Sequence, residues 1–295
     1  MSGISERRSF FAEHGWLVIR GGVDPGLLVD VRAVYDELMA PYRDGHAASL
    51  TGTALWQIPG AERARPPLLG LLRRSGLAEL AAELLDDPQV RLLQEAFLLK
   101  CGGHGGRIEA HQDYSYTGYL DSPRTLGLRF PLAPETRESG CMWVVDGSHR
   151  WGLIGGVHAL SDSLRDARRL LTAAQAAQLD SRRVMLEMAP GDVSIHHCLT
   201  VHGSDENRSR TPRETVVTHV VAGACRVIAG RLPSPEAVRH FPTDAAGRLA
   251  GNRFPALRSR GRAGARLYGS RAEEQGPRLP KKIRGRRLRS PAADN

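Results

Sequence analysis

Apolar positions along the first ninety residues recur mainly at helical spacing. Residues 6–20 read as a short amphipathic helix closed by Gly15 and followed by a strand, Trp16-Leu-Val-Ile-Arg20. Pro25 suits a first helical turn, and Leu27, Leu28, Val31, Val34, Tyr35 and Leu38 continue it at helical spacing to about Ala40. Between Pro67 and Asp86 a run of leucines supplies apolar helical faces, interrupted near Gly76.

Beyond Asp86 the pattern changes to short apolar runs separated by turns that contain glycine or proline. Val90–Lys100 is long enough for a strand, and further strands are expected at 125–132, 141–145, 184–187, 193–196 and 215–221. Only one later helix, Ser161–Leu179, is expected among them. Many short strands without regular strand–helix alternation favour an all-β core with flanking helices, a mainly antiparallel barrel. Such an arrangement resembles a double-stranded β-helix, a jelly roll of the cupin kind whose two strand layers enclose a pocket.

The 295 residues, 41% hydrophobic, suffice for one large core. The formal charge of +9 suggests a polyanion partner until it is located. Residues 253–295 hold thirteen Lys or Arg against three Asp or Glu, so residues 1–252 are close to neutral. We therefore expect a folded domain over 1–252 and a basic, disordered tail over 253–295 with too few apolar residues to fold alone. Nucleic acid could be engaged only through that tail, whose two aromatics, Phe254 and Tyr268, are too few for a stacking platform on bases. No apolar run is long enough to cross a bilayer, and Cys101, Cys141, Cys198 and Cys225 show no paired metal-ligand spacing. A cytoplasmic protein with no membrane partner is expected, and its oligomeric state is left open.

The chemistry concentrates in Glu109-Ala-His-Gln-Asp-Tyr114. His111-x-Asp113 with a much later histidine forms a set of two imidazoles and one carboxylate, which leaves one face of octahedral Fe(II) open. On an extended segment residues i and i+2 share a side, so His111 and Asp113 could converge on one ion. Zinc or manganese would accept the same ligands, and His196, His197 and His202 are all candidates for the distant position.

Four segments together resemble the phytanoyl-CoA dioxygenase family of Fe(II)- and 2-oxoglutarate-dependent oxygenases. They are Phe11-x-x-x-Gly15-Trp-Leu-Val-Ile-Arg20, His111-Gln-Asp113, Gly140-Cys-Met-Trp-Val-Val-Asp-Gly-Ser-His149, and Gly191-Asp192 through His202-Gly-Ser-x-x-Asn207-x-Ser209-x-x-x-Arg213. The resemblance covers most of residues 10–222. It implies that His111, Asp113 and His202 hold iron, and that Arg213 pairs with the distal carboxylate of 2-oxoglutarate through its planar guanidinium. Ser204 and Ser209 could add hydroxyl donors on a loop held by Asn207, and Lys100 and Gln94 polar contacts from the preceding strand. Tyr114, Tyr116, Tyr119, Trp56, Trp143 and His197 are the candidate substrate contacts.

The implied reaction uses dioxygen as second cosubstrate to hydroxylate a C–H bond of a small organic metabolite, with desaturation, cyclisation or epoxidation as alternatives. Because Asp113 supplies a carboxylate where related halogenases have a small residue, an oxygenase outcome is favoured over halogenation. The residues after Asp113 depart from the ectoine hydroxylase pattern, so that substrate is not assigned. A peptide or protein hydroxylase, and a nonenzymatic polyanion- or protein-binding module, are the competing readings.

Overall fold

The computed structural model describes residues 2–43, 64–103, 105–155, 170–232 and 234–257. Trp56 and most of the helix expected over 161–179 lie outside the described residues; of that helix the structure shows α6, Ala173–Ser181. Helix α1 (Ser2–His14) stops at Gly15, whose φ of +78° suits glycine, and β1 (Trp16–Ile19) follows. A Cβ on Gly15 would also lie 2.8 Å from Thr200 Oγ1. Helix α2 (Pro25–Arg43) begins where Asp24 Oδ1 accepts the Gly26 N–H at 2.7 Å. The leucine run forms two helices, α3 (Arg65–Arg74) and α4 (Leu77–Leu85), divided at Gly76 with φ +78°.

The remaining strands are β2 (Val90–Lys100), β3 (Ile108–His111), β4 (Thr125–Pro131), β5 (Met142–Val145), β6 (Arg183–Met185), β7 (Val193–His197), β8 (His202–Ser204) and β9 (Arg213–Ala222). A four-residue helix, α5 (Tyr114–Thr117), follows β3. One sheet has the order β1-β7-β4-β9-β2 and the other β3-β8-β5-β6, and every pairing within them is antiparallel. No strand joins the two sheets among the described residues. The body is thus a mixed α/β fold built on two antiparallel sheets, whereas the strand pattern alone favoured a barrel.

Strand pleating gives the larger sheet two unlike faces. Leu17, Ile195, Leu128, Val220 and Phe97 join one hydrophobic cluster with Val31, Tyr35, Leu68, Leu72 and Leu80 of the helices. The opposite face carries a row across all five strands, Trp16–His196–Gly127–His219–Gln94. Next to it runs Val18–Ser194–Arg129–Val217–Ala96. This second face meets the smaller sheet. The smaller sheet turns Trp143, Val145, Ala110 and Val201 the other way, into a cluster with Leu179 of α6. Trp143 therefore packs in that cluster, with the Arg183 guanidinium 4.5 Å over its ring.

His197 also faces away from the intersheet space, because it follows His196 on the same strand. Its ring packs near Phe11 and His149, with centroids 6.4 and 5.8 Å away, and its Nδ1 accepts the Leu199 N–H at 3.1 Å. Burial, aided by nearby His149, lowers its pKa to about 4.

Strand β2 is an edge of its sheet, and the chain covers it. Residues 254–257 run back along it: Leu92 N–H donates to Pro255 O at 3.0 Å and Leu257 N–H to Val90 O at 2.8 Å. Phe254 and Leu257 are buried in the main cluster, and Arg73 donates to the carbonyls of Ala256 and Leu257. The folded body thus continues through 257, past the boundary expected at 252. The low apolar content of the tail as a whole masks this one anchoring pair.

Two outcomes follow from this packing. Phe254→Ala should lower the unfolding free energy by about 3 kcal/mol, read as a lower denaturant midpoint; an unchanged midpoint would mean the segment only drapes over β2. His197 is neutral in the fold, while the unfolded chain takes up a proton near its ordinary pKa of 6.5, so stability present above pH 6.5 is lost as pH falls towards 4. His197→Asn keeps an acceptor for Leu199 and should shrink the loss between pH 7 and pH 5 by about 2 kcal/mol, measured by denaturation at both pH values.

Candidate metal centre

His111 ends β3 directly opposite His202 on β8, with ring centroids 4.2 Å apart. Each imidazole is fixed by the carbonyl two residues before it. His111 Nδ1 lies 2.8 Å from Glu109 O, and His202 Nδ1 2.9 Å from Thr200 O. A carbonyl can only accept, so each Nδ1 carries the proton and each Nε2 presents a lone pair. Burial lowers both pKa values to about 4, which keeps these lone pairs available at neutral pH.

Asp113 reaches the same spot by a different route from the strand alternation expected. Its φ of −60° and ψ of −30° are helical, and it occupies the N-cap position of α5. The turn between the two ligands is pinned by buried Gln112, whose amide donates to Gly152 O and Leu199 O and accepts the Ile154 N–H. Asp113 Oδ1 then stands 3.6 Å from His111 Nε2 and 3.4 Å from His202 Nε2. One ligand atom from each residue lies within 4.8 Å of the other two. Neighbouring atoms that share one ion at about 2.1 Å are separated by roughly 3 Å, so this donor set fits a single divalent cation. The other oxygen, Oδ2, faces His196 Nε2 at 3.0 Å and His219 Nε2 at 3.2 Å. Burial alone would raise the Asp113 pKa, but His202, His219 and the hydrogen bonds from His196 and His219 hold it well below the carboxylate range.

The three residues open into a cavity between the sheets that also reaches Arg129, Arg213 and Ser204. Arg129 Nη2 contacts both Glu135 oxygens at 3.0 and 3.1 Å, Thr215 Oγ1 donates to the same carboxylate, and Arg213 Nη1 donates to Gly140 O. Glu135 is thus paired with Arg129 and feels the charge of nearby Arg213. Arg213 Nε, Arg129 Nη1 and Ser204 Oγ are buried without a hydrogen-bond partner among the described residues. Buried donors left in this state are costly unless a ligand satisfies them, and this set calls for an anion. Lys100, paired across from Arg213, donates to Asp205 O. Burial, then repulsion from Arg213 and Arg129, lowers its pKa to about 6, so it contributes a neutral amine at neutral pH.

The other sequence candidates separate by face and loop. Ser204 lines the cavity, and Tyr116 stands beside His111 with ring centroids 5.9 Å apart. Gln94 lies behind His219, 3.2 Å from its Nδ1, with that ring between it and Asp113. Ser209 bonds to Asn207 and Thr211 within its own loop, while Asn207 holds the carbonyls of Lys100 and Thr211. Tyr114 donates to Leu120 O and Tyr119 packs on Phe241, both within the main hydrophobic cluster, so neither contacts the cavity. Sequence reasoning passed over Arg129, His219 and Gln112, and kept His196 only as a rival ligand. A lone Arg or His inside an otherwise apolar strand, as in Leu126-Gly-Leu-Arg-Phe130 and Val216-Val-Thr-His-Val220, was the available signal.

Comparison with known proteins agrees with this architecture. The chain is 30% identical over 131 residues to phytanoyl-CoA dioxygenase 1 of Oryza sativa subsp. japonica, covering 44% of each protein. It is 24% identical over 260 residues to the peroxisomal phytanoyl-CoA dioxygenase of Rattus norvegicus, covering 78% of this chain and 72% of that one. The matched span is less than half the length of several of these curated relatives. Among solved structures, the α-ketoglutarate-dependent carbocyclase SnoK from nogalamycin biosynthesis superposes with a TM-score of 0.64 at 19% identity, over 85% of this chain and 95% of SnoK. EctD from S. alaskensis, solved with 2-oxoglutarate and 5-hydroxyectoine, gives 0.62 at 21% identity over 83% and 86%. At these identities the structures speak for the fold alone. The model of the phytanoyl-CoA dioxygenase (PhyH) family matches residues 11–215, a span that holds all three converging ligands and both cavity arginines, and the chain belongs to that family.

Proposed function

We propose that the protein is an Fe(II)- and 2-oxoglutarate-dependent dioxygenase that oxidises a small organic metabolite. The observation that carries this reading is the convergence of two imidazole lone pairs and one carboxylate oxygen in a cavity whose other end holds unsatisfied arginine donors. His111, Asp113 and His202 hold the iron. When bound, iron together with 2-oxoglutarate and dioxygen supplies the oxidising power to attack an unactivated C–H bond. Arg213 takes the distal carboxylate of the oxoacid, and Arg129 and Ser204 support it from the same wall. Arg129 and Arg213 lie near one buried glutamate, which leaves one positive charge uncompensated, and the distal carboxylate of the oxoacid balances it.

Tyr116 is the aromatic contact we retain for substrate, because it stands next to His111. The carboxylate at position 113 supports an oxygenase outcome, with hydroxylation as the leading reaction. Among the structural neighbours one is a carbocyclase and another an epimerase, so cyclisation and other fates of the substrate radical remain alternatives within the same chemistry. We read the two facing sheets as the walls of a double-stranded β-helix, with residues 1–257 as the catalytic domain and the basic stretch beyond as an appendage. No helix among the described residues is long and apolar enough to cross a membrane. The four cysteines are free, which supports a reducing, cytoplasmic setting in our reading.

The test is an anaerobic Fe(II) titration with and without 2-oxoglutarate, following the visible iron-to-oxoacid charge-transfer band. Wild-type protein should develop the band, and His202→Ala should lose both iron and band. Arg213→Ala should keep iron but bind 2-oxoglutarate roughly 30-fold or more weakly, the worth of a buried charge-assisted pair. Folded, iron-loaded protein that shows no band would remove the cosubstrate assignment.

A further inference from the structure

Two histidines touch the proposed centre without belonging to its ligand set. We infer that His196 and His219 form a clamp on Asp113 Oδ2 that makes the carboxylate a one-toothed iron ligand; this rests on the Fe(II) reading above. A carboxylate oxygen only accepts, so both rings approach with Nε2–H, at 3.0 and 3.2 Å. The two donors occupy Oδ2. Oδ1 is left on the side of His111 and His202.

The sheet is shaped for this contact. His196 and His219 sit on β7 and β9, on either side of Gly127 of β4, in one row. A Cβ on Gly127 would fall 2.5 Å from His196 Nε2, so the ring lies where any other residue would place its side chain. Among the described residues the Nδ1 of His196 has no hydrogen-bond partner, and the ring's one hydrogen bond is the one to Asp113. On the other side, the Gln94 amide lies 3.2 Å from His219 Nδ1, and its N–H sets the tautomer that leaves the proton on Nε2.

The clamp matters because octahedral iron has six positions. With iron bound, one ligand atom each from His111, Asp113 and His202 would leave three positions, enough for a chelating oxoacid and one more ligand. A carboxylate free to chelate would close that last position. His196 and His219 are thus positioning residues that act through Asp113.

The experiment uses the full chain. Anaerobic Fe(II) affinity and the energy of the 2-oxoglutarate charge-transfer band are compared among wild type, His196→Leu, His219→Leu and His219→Gln, with circular dichroism as the check of folding. Removing either donor should weaken Fe(II) binding by about 10- to 100-fold and shift the band. His219→Gln returns an N–H near the position of Nε2 and should stay within about threefold of wild type. Should leucine at either position prevent folding, Gly127→Ala carries the test, because it displaces the His196 ring and should weaken iron binding about tenfold. Unchanged iron affinity and band in the leucine variants, or in Gly127→Ala, would overturn the clamp while leaving the oxygenase reading intact. So would a His219→Gln variant as impaired as His219→Leu, which would mark a packing role. Wild-type protein that binds no Fe(II) would overturn both.

Discussion

A carboxylate withdrawn from water must be stabilised by something else, and the placement of Asp113 imposes that demand on both sheets at once. Left alone in such a site it would take up a proton and lose its value as a ligand. Here four imidazoles surround it, two from the strand pair β3–β8 and its edge, two from β7 and β9 of the larger sheet. Neither sheet could supply them all. The contact therefore joins the layers, and all the polar groups that make it are buried.

The pleat makes this affordable. On the larger sheet one side of each strand joins the aliphatic cluster under α2, α3 and α4, and the alternate residues turn His196, His219, Arg129 and Arg213 towards the smaller sheet. Since β4 and β9 are buried on both sides, they gain hydrophobic stabilisation from the helices while carrying charge on the other face. Glu135 serves the arginines much as the histidines serve Asp113: burial alone would raise its pKa, and Arg129 and Arg213 bring it below the usual range.

What could be read from the chain follows from the same physics. Helices with an apolar stripe, such as α2 and the α3–α4 pair, are local events, and their outlines were visible in the leucine spacing, as was the stop of α1 in Gly15. The family motifs brought His111, Asp113, His202 and Arg213 forward as a group. Roles that depend on which side of a strand faces the cavity were harder, because β5 and β7 are nearly all buried and their composition does not mark the two faces. Trp143 and His197, candidates for substrate contact, pack against Leu179 and near Phe11, while Arg129 and His219 were missed. Gln94 was placed one partner too close to the centre, since only the register with His219 reveals what stands in front of it. Asp113 was expected to follow strand geometry, whereas a turn fixed by Gln112 decides its position.

Strand β9 carries both the arginine at one end of the cavity and a histidine against Asp113 at the other, six residues apart. An even spacing keeps both on one face, and an odd one would turn one of them into the helical layer. The span between them can therefore change only in steps of two residues, about 6.6 Å at a time. That is several carbon–carbon bonds in a single step. The backbone thus has no fine adjustment for an acid one methylene longer or shorter. Under the proposed function, adaptation to such a molecule would fall to side-chain length at position 213 and its neighbours, and the strand would set the length of acid that fits.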